Sequence, residues 1–537
     1  MSLAFSLFAE YIFPVLERFS ENIIVCFCWL LFITFLYFIS RYTRGITFVI
    51  MENKYKATIG LEIHAELKTK TKMFCACKND THEEKPNVNV CPVCMGHPGT
   101  LPVINKEAVK HVMKVGHAVR GKIADFTEWD RKNYFYPDIP KGYQISQYAF
   151  PLVTGGEIAG TKITRIHLEE DTAKSSHDQS DSSDHSLVDF NRAGVPLMEL
   201  VTEPVIHSAE DAVKFAKELQ LILRYLGAGD ANMEKGEMRV EANISVSVTE
   251  KFGTKTEVKN LNSFKAVERA IEFEIKRQIE VLEKGEKVVQ ETRGWDETKQ
   301  KTYSQRLKED SHDYRYFPDP DLPKLKVSEI PEFAESELRK EMGELPAEKR
   351  ERLRSAYGLK AEDAEVFIGS VILGNYFEKV SRNISQAAGG DEAVKLIKLA
   401  SNYIISDYLG LIKKVAESGD IDPHIEKIPS DHFAELIRMA GAGAVSSRGA
   451  KDILKIMFEQ GGGPEDIAQK EGLLQKSDEG ELKKIVEAVL QANPKVVEEY
   501  KGGKTMVLQY LVGQGMKQSK GSANPEALKK LIIENIG

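Results

Sequence analysis

Ile59-Gly-Leu-Glu-Ile-His-Ala-Glu-Leu67 alternates without a break, with Leu61, Ile63, Ala65 and Leu67 on one phase and Glu62, His64 and Glu66 on the other. Such period-two alternation predicts a half-buried strand. Its polar side suits either a solvated sheet face or a wall of metal and phosphate ligands. Two further runs bear on that choice. In Arg165-Ile-His-Leu-Glu-Glu-Asp171, Glu169 continues the polar phase of Arg165 and His167, whereas Glu170 shares a phase with Ile166 and Leu168. A carboxylate on the apolar phase is costly unless a cation compensates it or a bulge turns the strand end. In Pro196-Leu-Met-Glu-Leu-Val201, Glu199 stands alone among apolar neighbours and calls for a metal or an arginine such as Arg192. Hard oxygen donors and one imidazole, gathered from three strands, would suit Mg²⁺ carrying nucleotide phosphates.

Residues 52–340 continue as short alternating runs with turn signals, among them Pro137-Asp, Gly155-Gly and Asn191-Arg-Ala-Gly194, with helical periodicity over 209–226 and 264–282. This predicts a large α+β domain with an antiparallel sheet. Beyond Pro323 the pattern becomes amphipathic and helical over 332–357, 361–385 and 392–418, giving a helical domain over 341–427. Ser430 reads as the N-cap of a helix over 433–439, and 428–537 as a small all-α tail domain with turns at Gly441-Ala-Gly and Gly461-Gly-Gly-Pro464.

A chain of 537 residues exceeds one core, and its net charge of -8 means that any nucleic acid must be held by a local basic patch. The six cysteines are too few for a disulfide framework and point to a reducing, cytoplasmic setting. Four of them, Cys75-x-Cys77 and Cys91-Pro-Val-Cys94, fit a closed tetrahedral structural Zn²⁺ site pinning the loop after the first strand. Residues 1–50 differ from the rest. The uncharged run 23–39 is at the short end of a transmembrane helix and lacks the flanks of a cleavable signal. With Met51 placed as a natural start, 1–50 is expected to be an extension outside the functional protein, the alternative being a membrane anchor.

Gly503-Lys504-Thr505 imitates the end of a phosphate-binding loop, but Glu498 stands where its first glycine belongs, so the match is read as chance. Basic and aromatic residues interleave at Lys132-Asn133-Tyr134-Phe-Tyr136, Lys141-Gly-Tyr143, Lys259-Asn260-Leu-Asn262-Ser-Phe264 and Asp313-Tyr-Arg315-Tyr-Phe317. Such mixtures hold phosphates and stack bases, and they also occur as ordinary sheet surfaces. Lys501, Lys504, Lys517, Lys520, Lys529 and Lys530 make the C-terminus locally basic, either an RNA-backbone contact or a solvated helical face.

Taken together, Ile59-Gly-Leu-Glu-Ile-His64, Asp130-Arg-Lys-Asn-Tyr-Phe-Tyr-Pro137, Gln144-Ile-Ser-Gln147, His167-Leu-Glu-Glu-Asp171, Asn191-Arg-Ala-Gly194, Lys259-Asn-Leu-Asn-Ser-Phe264 and Asp313-Tyr-Arg-Tyr-Phe-Pro318 resemble GatB, the B component of the tRNA-dependent amidotransferases. Leu511-Val-Gly-Gln514 with Lys520-Gly-Ser-Ala-Asn-Pro525 is similar to that family's C-terminal RNA-binding module, and the resemblance covers about 54–535. It implies a cradle domain, a helical linker and a small helical tail. It also implies the chemistry: ATP phosphorylates the side-chain carboxylate of glutamate on tRNA(Gln) or aspartate on tRNA(Asn), and ammonia then displaces phosphate. By resemblance the Mg²⁺ ligands map onto His64, Glu170 and Glu199, with Glu62 beside them. Lys132, Asn133, Tyr134, Lys259, Asn260, Asn262 and Arg315 are assigned to the nucleotide, and Lys504, Lys517 and Lys520 to RNA. No glutaminase signature is present, so the resemblance implies ammonia delivered through a tunnel from an amidase-fold partner (GatA), with a small third component (GatC) wrapping the pair. The competing readings are a metal-dependent phosphohydrolase and a non-catalytic tRNA-binding module.

Overall fold

The computed structural model describes residues 54–177, 186–307, 313–416, 421–475, 479–519 and 523–537. The hydrophobic run 23–39 and Lys520 lie outside the described residues. Among the described residues no helix is long and apolar enough to cross a membrane. The chain divides into two compact units between Glu341 and Met342.

The alternating stretch forms β1 (Lys56–Glu66). The elements that follow in the first unit are α1 (Lys106–Ala118), β2 (Asp130–Asn133), β3 (Tyr143–Ser146), β4 (Thr161–Glu170), β5 (Pro196–Thr202), α2 (Ala209–Tyr225) and β6 (Met238–Ser247). They continue with β7 (Thr256–Leu261), α3 (Phe264–Glu283), β8 (Glu291–Asp296), β9 (Lys301–Leu307) and β10 (Phe317–Pro318). The main path of a thirteen-stranded sheet runs β9-β8-β7-β6-β1-β5-β4-β3-β2-β10. Neighbours are antiparallel except β7 and β8, which are parallel and joined by α3, as a parallel pair requires a crossover. The α+β class expected from the pattern is the one observed.

Register decides what the two faces carry, because residues directly opposite one another point the same way. Val240, Ile63, Leu200 and Ile166 stand in one row across β6, β1, β5 and β4, and all four are buried. Helices α2 and α3 pack against the sheet, each started by a serine whose hydroxyl caps the first turn: Ser208 accepts from Asp211 N and Ser263 from Ala266 N. The adjacent row on the opposite face holds Arg239, His64, Glu199 and His167. Four strands therefore bring polar groups together that are far apart in sequence.

The second unit is helical. The expected helix 332–357 is interrupted: Gly343 adopts φ +66°, and Pro346 opens the helix Pro346–Tyr357. The expected helix 361–385 breaks at Ser370, which is extended and caps Leu373 N at 3.1 Å. The third, 392–418, contains a five-residue π-helical turn, Ile404–Tyr408, between Gly390–Tyr403 and Leu409–Val415. Ser430 is the first residue of the helix Ser430–Gly441 instead of its cap, and Pro429 precedes it. From that helix Phe433 packs on Tyr408 at 5.5 Å and Tyr376 at 6.0 Å. Leu482, Val486, Leu511, Leu528 and Ile532 make a further core among the last helices.

Candidate active site and metal centres

The polar face of the sheet floors a basin of about 1460 Å³, lined among others by Glu62, His64, Lys132, Asn133, Tyr134, Glu169, Asp171, Arg239, Glu241, Lys259, Tyr314 and Arg315. His64 Nε2 points into a ring of carboxylates: Glu199 at 3.4 Å, Glu169 at 3.6 Å and Glu62 at 4.0 Å. Glu199 also accepts from Arg165 at 3.1 Å and lies 3.6 Å from His167 Nε2. Donor atoms of Glu62, His64 and Glu199 lie within 4.8 Å of one another, as do those of His167, Glu169 and Glu199, so Glu199 belongs to both groups.

Glu170 is not among them. Successive residues of a strand point to opposite faces, and Glu170 sits on the far side, paired with Lys141 and accepting from Ile145 N at 3.0 Å. Of the two adjacent carboxylates, Glu169 and not Glu170 is the one that the fold brings beside His64. The phase shared by Arg165, His167 and Glu169 was the available sequence signal for it, and for His167. The apolar-phase Glu170 is compensated by a lysine. Glu66 is also apart from the cluster, accepting from Thr81 Oγ1 at 3.1 Å.

Burial and mutual repulsion act together on the carboxylates of the floor. Burial, followed by the charge of Glu199, pushes Glu169 up to about 7. Glu62 is raised by burial and by the charges of Glu199 and Glu241. Burial disfavours the His64 cation, yet the Glu199 hydrogen bond and the charges of Glu169, Glu199 and Glu241 outweigh it and hold His64 near 9. His167 falls to about 4 because burial dominates there. Burial would raise Glu199, but His167, His64 and Arg165 keep it well below the usual range. Carboxylates crowd around the Nε2 of His64, an arrangement that a divalent cation would relieve. The donor set fits magnesium.

The residues expected to hold nucleotide divide into two groups. Lys132, Tyr134, Lys259 and Arg315 line the basin; Lys259 is held by Glu241 at 2.7 Å and Glu257 at 3.6 Å. Asn133 also lines it, but its amide donates to the carbonyls of Arg131, Tyr314 and Arg315, pinning the segment from Asp313 onward against β2. Asn260 and Asn262 are not among the residues that line the basin; the Asn260 amide donates to Trp295 O. Beside the cluster, Asp171 takes both arms of Arg239 at 3.0 and 3.1 Å, and sequence reasoning gave neither residue a role.

The second centre is the cysteine group. Sulfur atoms of Cys75, Cys77, Cys91 and Cys94 lie within 4.8 Å of one another, and Cys91 N donates to Cys94 Sγ at 3.2 Å. The bond from Cys75, aided against burial by Cys91 N and the buried Lys72, lowers Cys94 to about 5, while burial raises Cys77 to about 11. Four sulfur donors this close together fit zinc, which would hold them as thiolates. In the tail, Lys504 is exposed and lies 3.3 Å from Glu499, and Lys517 occupies the last turn of Val507–Gln518.

Comparison with known proteins agrees with the architecture. The family model described as the GatB/GatE catalytic domain matches residues 57–331, and that described as the GatB domain matches 376–536. The chain is 46% identical over 493 residues to an aspartyl/glutamyl-tRNA(Asn/Gln) amidotransferase B subunit of Caldanaerobacter subterraneus, covering 90% of this chain and 99% of the relative. It is 45% identical to the protein of the same name from Moorella thermoacetica, over 90% and 100% of the two chains. With the Rippkaea orientalis protein, again so named, the identity is 44%, over 90% and 98%. The chain belongs to the family of aspartyl/glutamyl-tRNA(Asn/Gln) amidotransferase B subunits.

Proposed function

We propose that this chain is the activating and amidating component of a ligase that converts glutamate on tRNA(Gln), aspartate on tRNA(Asn), or both, into the corresponding amide. The observation that carries the reading is the meeting of Glu199 with His64, Glu62 and Glu169, the last three of which line one open basin. A carboxylate is a poor acyl donor because oxide leaves badly. An oxygen of the substrate carboxylate therefore attacks the terminal phosphorus of ATP and ADP departs. Ammonia then adds to the carbonyl carbon, phosphate departs with the C–O electron pair, and the nitrogen gives up a proton.

His64, Glu169 and Glu199, with Glu62 alongside, would hold magnesium, whose charge offsets that of the phosphoryl group. Lys132 faces the same space and supplies a cation toward the nucleotide phosphates. Arg239, locked on Asp171, keeps a fixed positive group beside the floor. The four cysteines hold zinc as a structural brace. Ammonia comes from glutamine on the amidase-fold partner GatA, the small protein GatC completes the assembly, and the lysines of the tail hold the tRNA backbone. Changing Glu199→Gln or His64→Ala in the assembled enzyme is expected to preserve binding of Glu-tRNA(Gln) and abolish its ATP-dependent amidation with ammonium chloride. Product formation at the parental rate by either variant would refute the site.

A further inference from the structure

Phe135 is 91% exposed and Tyr136 67%, and both stand at the mouth of the basin floored by His64. Single exposed rings are ordinary, but these are adjacent and held in a built turn. Tyr134 N donates to Gly142 O, Ile139 N to Tyr136 O and Gly142 N to Ile139 O, at 3.1–3.2 Å. Lys141, beside that glycine, is tied to Glu170. Gly142 adopts φ +76°, and a Cβ there would stand 3.2 Å from the Phe135 ring. Glycine therefore lets the backbone support one side of the ring while leaving most of its surface open. Arg315, 82% exposed, lines the same mouth and places a cation beside the rings.

A small nucleotide is usually enclosed over most of its surface. Rings offered on an open rim beside an arginine suit an unpaired nucleic-acid end that is anchored elsewhere as well: the rings stack bases, and the cation meets the backbone. We propose that Phe135 and Tyr136 form the stacking platform for the terminal adenosine of the aminoacyl-tRNA, with Arg315 toward its phosphate. This rests on the functional reading above. The amino acid is esterified to the ribose of that nucleoside, so base and reacting carboxylate must share one basin, the base at the rim and the carboxylate at the floor.

The test uses the assembled enzyme with ATP, ammonium chloride and Glu-tRNA(Gln), together with uncharged tRNA carrying 2-aminopurine in place of the terminal adenine. Stacking quenches 2-aminopurine, so binding to the parental enzyme is expected to lower its fluorescence. Phe135→Ala and Tyr136→Ala should each relieve that quenching and raise KM for the charged tRNA at least about fivefold, with Phe135→Trp restoring both. An unchanged KM and unchanged quenching in both alanine variants would overturn the platform while leaving the functional reading intact. A rise in KM for ATP instead would move the rings to the nucleotide and overturn the proposal equally. Absence of amide product from the parental enzyme would sink the functional reading itself, and the platform with it.

Discussion

Replacing Glu169 by Gln separates the role of that carboxylate in holding a cation from its effect on folding. Glu169 is 3% exposed and raised from 4.5 to about 7. A carboxylate whose folded value exceeds its unfolded one weakens the fold as pH climbs through the interval between them, here from 4.5 to about 7, and the whole penalty is present above it. At about 1.4 kcal/mol per unit, the penalty is on the order of 3 kcal/mol. Without a divalent cation, then, Glu169→Gln removes a destabilising charge. In EDTA at pH 7.5 the variant is expected to melt above the parent, by roughly 6 °C if the first unit gains about 2 °C per kcal/mol. At pH 4 the two should melt together. Magnesium reverses the order of advantage: it should raise the melting temperature of the parent, which has the full set of donors, and raise that of the variant far less. Differential scanning calorimetry with and without magnesium reads both effects. A variant that melts below the parent in EDTA at pH 7.5, or equal stabilisation of the two proteins by magnesium, would refute this role of Glu169.

Glu170→Gln should do the opposite: it leaves Lys141, whose side chain is 11% exposed, without its carboxylate. We expect a loss of about 3 kcal/mol in thermal or denaturant unfolding and a magnesium response like that of the parent; a lost magnesium response with unchanged stability would place Glu170 at the metal instead. In the second unit, Glu378 accepts from the buried Lys349 at 2.8 Å and from Arg352 at 3.1 Å, which hold it below the ordinary carboxylate value against the opposing effect of burial. Its contribution is complete above the unfolded value and disappears as pH falls through the lower folded one. Glu378→Gln should therefore cost about 2–3 kcal/mol at pH 7 and little near pH 2, and a cost independent of pH would exclude the ion pair as its source.

Much of this protein can be read from the chain because the relevant physics is local. Strict alternation made β1 and put Glu62 and His64 opposite its buried phase. The α2 and α3 helices follow their apolar spacing and start at Ser208 and Ser263, whose hydroxyls satisfy backbone groups only a few residues away. Paired cysteine spacing likewise foretold a cluster, since each pair lies within one short turn.

Where the reading strayed, a neighbour distant in sequence decided the outcome. Glu169 and Glu170 differ by one position, and the choice between them depended on which strand paired with β4 and on Lys141 waiting across the sheet for the second. Glu199 found Arg165 and two histidines through strand register, in place of the nearby Arg192. Asn133 turned inward to clamp three carbonyls, a role that no property of its own neighbours announces. Composition and periodicity set which side of each element is buried; the order and register of strands, fixed only when the sheet assembles, set which charges face one another.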